Sequence, residues 1–225
     1  MNCAASDIFD EVHKIRRVPR GEKRREEIAA VAQQVFLELG YSETTMQAIA
    51  VRAGASKETL YRHFGSKEEL FSEIVRSRAA KVFSGLGEDP QAGEPKELLT
   101  RIGNNMLRLV SGEESLCLYR LVIGEVQRAP ELGRIFFEQG PAQVLREVTA
   151  QIASAAEAGH LNCPDPELAA KLFLGALVGN RHIYALIAPD ADLWTEEKIE
   201  RHVGEAVAMF LARYGVPGST PADAC

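Results

Sequence analysis

The chain has no apolar run long enough to cross a bilayer, and its N-terminus lacks the charged-then-apolar pattern of a signal peptide. A cytoplasmic protein with no membrane partner is the expectation. There is no Walker lysine loop, no G-x-S-x-G and no H-E-x-x-H. An enzyme is therefore disfavoured, and no cofactor is expected. The four cysteines, Cys3, Cys117, Cys163 and Cys225, show no paired spacing. They read as free thiols rather than a disulfide framework. His160, Cys163 and Asp165 lie close in sequence, but their spacing fits no standard zinc site. With 18 Gly and 10 Pro in 225 residues, the chain is not rich enough in either for disorder. Beyond Pro95 there is no strand-like alternation.

Charge is present but unevenly placed. The net charge of -6 argues, taken whole, against a polyanionic partner. From Lys14 to Lys67, however, 11 Lys and Arg stand against 6 Asp and Glu, whereas from Glu68 onward 15 stand against 23. Local charge steers a polyanion, so the N-terminal third is the candidate nucleic-acid surface.

Helical periodicity runs through the whole chain. Ile28, Val31, Ala32, Val35, Phe36 and Leu39 predict a first helix from about Glu22 to Leu39, closed by Gly40. Thr44, with Gln47 three residues on, reads as a capping box opening a second helix, whose apolar face is Met46, Ile49, Ala50 and Ala53. Gly54 stands where a left-handed cap belongs. Ser56 then caps a helix from Lys57 to Phe64, ended by Gly65, and Ser66 with Glu69 forms the next capping box. Two short helices about a Gly-containing turn make a helix-turn-helix. On the second, Leu60 and Phe64 share the anchoring face. Lys57, Thr59, Tyr61, Arg62 and His63 are left to solvent, a set of donors and an aromatic ring suited to phosphates and base edges.

A longer helix, about Lys67 to Phe83, carries Leu70, Phe71, Ile74, Val75 and Val82 and links two halves, with turn residues from Gly85 to Glu94. Further helices are expected near 95–110, 115–128, 131–138, 141–158, 166–187 and 195–213. Pro95, Pro141 and Pro166 sit at first-turn positions, and Gly159 and Gly215 at C-terminal ends. The expected organisation is a basic N-terminal arm over 1–21, a helix-turn-helix domain over 22–75, a second helical domain over 76–215 and a disordered tail over 216–225. The arm reads either as a solvated tail or as a segment following the DNA backbone.

The stretch GASKETLYRHFGSKEELF, preceded by TTMQAIAVRA, resembles the DNA-binding domain of the TetR/AcrR family of bacterial transcriptional regulators. LYRLVIGEVQRAPELGRIFFEQGP resembles the ligand domain of the AefR-like branch. Met46 and Gln47 follow the paired threonines where many members carry a basic residue. The resemblance implies an all-α homodimer that binds a palindromic double-stranded DNA operator as a repressor and is released by an unknown small-molecule effector. An adaptor that dimerises without an effector is the alternative. The candidate DNA contacts are Arg24, Thr44, Thr45, Gln47, Lys57, Thr59, Tyr61, Arg62, His63 and Lys67. Thr45, Tyr61, His63 and Lys67 would hold phosphates, and Lys57, Thr59 and Tyr61 would read bases. The candidate effector pocket comprises Met106, Leu109, Tyr119, Val122, Phe136, Phe137, Phe173 and Leu177, with Val110 and Leu118 beside them. Arg181 and His182 are polar positions on an apolar helix, either pocket groups or satisfied core and interface groups. The family's pairing of the last two long helices implies a dimer interface through Leu174, Val178, Ile199, Val203 and Phe210.

Overall fold

The structure is a computed structural model that describes residues 20–85, 94–188 and 195–216. The sequence-predicted N-terminal arm and C-terminal tail lie almost wholly outside the described residues. Every described element but one isolated bridge is helical, as the periodicity predicts. Helix α1 spans Arg20–Leu39, α2 Met46–Arg52, α3 Lys57–His63 and α4 Lys67–Ala80, with a 3-10 turn at Lys81–Phe83. Then follow α5 Pro95–Ser111, α6 Glu113–Glu125, α7 Pro130–Gln139, α8 Pro141–Glu157, α9 Pro166–Ile187 and α10 Glu196–Tyr214.

Local chemistry accounts for most helix ends. The Ser56 hydroxyl accepts from the Thr59 N–H and Ser66 accepts from the Glu69 N–H, so both predicted caps form. Gly40, Gly54 and Gly159 adopt the left-handed conformation, with φ of 83°, 57° and 77°. Two readings need correction. Helix α2 starts one residue late, so Thr45 is its cap and accepts from Ala48, while Thr44 is buried and donates to the Gly40 carbonyl at 2.6 Å. Glu69 reaches back to the Gly65 N–H at 2.9 Å rather than to that of Ser66. Gly65 and Gly215 mark helix ends as expected, though without a left-handed conformation: α3 ends at an extended Phe64 just before Gly65, and Gly215 caps α10 with φ of -68°.

Two apolar cores lie on either side of α4. One joins α1, α2 and α3 to Leu70, Phe71, Ile74 and Val75 of α4. Leu118, Val122, Ala129 and Leu132, from α6, α7 and the turn between them, complete it. The three short N-terminal helices bury little area alone, and these additional side chains supply what they lack. The other core unites α5, α8, α9 and α10 around Ile102, Leu107, Val148, Phe173, Leu177 and Val203. Gly103 is essential there, because a Cβ would stand 2.7 Å from Val203.

Helix α9 departs from the simple reading of its sequence. It is broken at Gly179, whose φ of 51° and ψ of -160° are not helical. A Cβ on Gly175 or Gly179 would meet nothing within 4 Å, so neither serves close packing within the protomer. The predicted dimer residues Ile199, Val203 and Phe210 are likewise placed otherwise. At 3%, 0% and 5% exposure they form the protomer's own core. The large apolar side chains these helices leave outside are Leu168, Leu172, Ile183, Tyr184 and Ile187 of α9 and Met209 of α10.

Candidate nucleic-acid interface and ligand cavity

Helix α3 is held by Leu60 and Phe64, both essentially fully buried, each worth about 1.5–3 kcal/mol of burial. Their fixed positions turn Lys57, Tyr61 and Arg62 outward, together with Glu58. The Lys57 ammonium lies 5.8 Å from the Tyr61 ring centre, one turn away on the same face. Thr45 and Gln47 of the preceding helix are also exposed. Thr59 and His63 are half-buried, and the Thr59 hydroxyl shares a hydrogen bond with Ser56 at 2.8 Å.

Two basic residues expected to contact DNA are engaged within the fold. Arg24 donates to the carbonyls of Ala53 and Gly54 at 2.9 and 3.2 Å, and also pairs with Glu27. It thereby satisfies carbonyls at the end of α2 that the helix leaves unpaired. Lys67 donates to the carbonyls of Tyr41 and Thr44 at 2.8 and 3.1 Å, and lies 4.3 Å above the Tyr41 ring. Arg24 therefore locks the α2–α3 turn and Lys67 the α1–α2 turn. The buried Thr44 belongs to that second turn and does not present its hydroxyl to solvent.

A third cation escaped the sequence reading. Arg25 donates to the His63 carbonyl and forms an ion pair with Glu73 at 2.7 Å. Burial pushes the Glu73 pKa up, but hydrogen bonds and charge from Arg25 and Arg76 outweigh it and hold the carboxyl below its ordinary value. One helical turn of α1 thus braces the end of α3 against α4. Its only sequence signal is an unexceptional Arg in a charged run.

On the other side of α4 lies a cavity of about 330 Å³. Helix α4 supplies Val75, Arg78 and Ala79 to its wall, and α5 supplies Met106 and Leu109. Tyr119, Phe136, Leu174 and Val178 close it from α6, α7 and α9. Met106, Leu109, Tyr119 and Phe136, with Val110 and Leu118, are thus where the sequence reading put them. The other pocket candidates are not. Val122 packs into the N-terminal core, Phe173 and Leu177 into the second core, and Phe137 is 61% exposed outside. Leu174 and Val178, expected at the dimer interface, line the cavity instead. The kink at Gly179 ends the straight part of α9 just beyond Val178, so these two side chains, which the family resemblance assigned to the dimer interface, belong to the segment that walls the cavity.

Tyr119 carries the aromatic organisation of the site. Its ring meets Phe136 and His182 edge-on, at 4.7 and 4.6 Å between centres. Burial raises the pKa of its phenol. His182 stands behind it with both ring nitrogens buried and without hydrogen-bond partners. Burial holds the His182 pKa below the ordinary histidine value, outweighing the opposing pull of the Val110 backbone. The Arg181 side chain lies outside the described residues. Among the described residues no cluster could hold a metal ion, and no helix is long and apolar enough to cross a membrane.

Known proteins share both halves. Residues 28–74 match the tetR family of bacterial regulatory proteins, and residues 97–216 match the C-terminal domain of AefR-like transcriptional repressors. A TetR-family regulator from Mesorhizobium loti is 32% identical, with a TM-score of 0.71 over 88% of this chain and 100% of that one. The flavonoid-responsive regulator FrrA is 30% identical, with a TM-score of 0.68 over the same shares of the two chains. The HTH-type transcriptional activator FasR of Mycolicibacterium smegmatis is 27% identical over 92% of this chain and 78% of its own length. A helix-turn-helix with its donors outward, followed by an AefR-like helical domain, makes this chain a member of the TetR family of bacterial transcriptional regulators.

Proposed function

We propose that the chain acts as a homodimeric, one-component transcriptional repressor released from a palindromic operator by a small apolar effector. Each protomer would set α3 in a major groove, the two lying about one helical turn of DNA apart. Lys57 and Tyr61 would read bases, with Thr45, Gln47, Arg62 and His63 against the backbone or neighbouring edges. Dimerisation would cover the apolar side chains of α9 and Met209 of α10, a row that water alone would leave costly. The match to AefR-like repressors supports repression rather than activation.

One observation carries the effector reading. Helix α4 walls the cavity with Val75, Arg78 and Ala79, and its first turn is tied through Lys67 to the turn before α2. A ligand that favours a different setting of α4 would therefore change the spacing of the two α3 helices. It does so only to the extent that it binds that setting better. The similarity to FrrA, described as flavonoid-responsive, makes flavonoids the first compounds to try.

The test is fluorescence anisotropy on an inverted repeat taken from DNA flanking the coding region. Tight, salt-sensitive binding and saturable release by an apolar aromatic compound are expected. Operator binding that no apolar compound releases, together with no saturable thermal stabilisation, would leave a dimeric DNA-binding adaptor.

A further inference from the structure

The cavity holds one charged wall residue, and its partner is unusual. Arg78 is half-buried, its side chain only 12% exposed, yet it is paired with Glu114, whose side chain is 72% exposed. Its Nη1 donates to Glu114 at 2.8 Å and to Gln33 of α1 at 3.3 Å, and its Nη2 donates to the buried Ser115 hydroxyl at 2.8 Å. A guanidinium shielded from water needs a carboxylate, and here an exposed side chain supplies it from outside. Beside the cavity runs a polar cleft of about 370 Å³ that shares Arg78 and Leu109 with it and is also lined by Lys81, Arg108, Glu113 and Glu114. The attraction of Lys81 already bears on the Glu114 carboxylate.

We propose that the effector is an apolar monocarboxylate whose carboxylate replaces Glu114 on Arg78. This inference rests on the effector reading above and narrows it. One ligand oxygen takes the place of the Glu114 oxygen on Nη1. Ser115, which accepts from Nη2, turns its own hydroxyl proton toward the other. The apolar body lies among Met106, Leu109, Phe136, Leu174 and Val178. Glu114 swings out to Lys81, so neither carboxylate is left unpaired. Arg–carboxylate hydrogen bonds in a water-poor site are the strong kind, which gives the acid its advantage over a neutral compound of equal shape. Because the same Nη1 also holds Gln33, the exchange is felt directly on the first helix of the DNA-binding half.

The test is calorimetric titration of the full-length dimer with decanoate and with 1-decanol, which share an apolar chain and differ in the head group. Decanoate should bind at least ten-fold tighter. Arg78→Met should abolish that preference while keeping decanol binding. Glu114→Gln, a change at an exposed position, should tighten decanoate several-fold and leave decanol unchanged. It stays informative even if Arg78→Met fails to fold. Decanol binding as tightly as decanoate overturns the carboxylate assignment and leaves the effector cavity standing, as does decanoate weakened by Glu114→Gln. If neither compound binds, this inference falls, and the operator-release assay decides the effector reading separately.

Discussion

The guanidinium of Arg25 lies 4.3 Å over the ring of Phe64 while donating to the carbonyl of His63, so one side chain of α1 clamps the last turn of α3 from two directions. Phe64 is the inward anchor of that helix, and Glu73 holds Arg25 from α4. Arg25→Met keeps the length of the side chain and removes the clamp. Operator affinity should fall several-fold, with a stability loss of about 1 kcal/mol, since the pair is partly solvent-screened. The dependence of log affinity on log salt should not change, because no phosphate contact is lost. A flatter salt slope would instead place Arg25 on the DNA.

Lys67→Ala and Arg24→Ala should act on stability before affinity. Each removes two donors from backbone carbonyls in the turns around α2. A loss of about 1–3 kcal/mol per variant is expected from hydrogen bonds to a charged donor. Thermal unfolding measures it directly. An unchanged melting temperature with a salt slope flatter by about 1 per protomer would return Lys67 to the phosphates.

Lys57→Ala and Tyr61→Phe should behave in the opposite way. Both side chains are exposed and neither anchors the helix, so the melting temperature should hold. The ratio of operator to scrambled-duplex affinity should drop by about 1–3 kcal/mol where a base contact is lost. Equal weakening on both duplexes at matched salt would mean these residues only position α3, leaving Gln47 and Arg62 as the next readers to test.

Substitutions on neighbouring residues of α10 should separate folding from dimerisation. Phe210 is buried 5.6 Å from the Phe173 ring and 4.9 Å from that of Tyr214. Phe210→Glu places an unpaired charge in that core and should unfold the second domain. Met209 is 64% exposed. Met209→Glu, combined with Leu172→Glu, should give folded monomers with weak operator binding. Sedimentation showing an intact dimer for this pair would move the interface to another face.

His182 should make the protein acid-sensitive. Its burial holds the pKa below the ordinary value, so the unfolded chain takes up the proton first. Its share of stability is complete above about pH 6.5 and lessens as pH falls through that value. Between about pH 7.5 and pH 5.5 the wild type should lose more melting temperature than His182→Leu. Equal losses would show that His182 finds a hydrogen-bond acceptor for its imidazolium in the dimer.

The fold was legible in the sequence because its determinants are local. Six helices after residue 94 fall within a few residues of their predicted spans, since prolines open four of them and the apolar period defines them all. The Ser56 and Ser66 caps and the left-handed Gly54 follow from side chains a few bonds away. Leu60 and Phe64, four residues apart, already determined which side of α3 faces outward.

Tertiary structure decided what each cation and each apolar stripe does. An exposed-looking Arg24 or Lys67 carries no mark of the carbonyls it meets, because those belong to turns some 23 to 30 residues away. Helices α9 and α10 have apolar residues on more than one face. Periodicity alone does not say which face meets the protomer's own core, which the cavity and which a second copy. The packing of α5 against both, through Gly103, draws Val203 and Leu177 inward. The break at Gly179 separates the cavity wall at Leu174 and Val178 from the exposed Ile183 and Ile187 beyond it. A helix's period depends on its own residues, whereas the partner of each face depends on every helix packed around it.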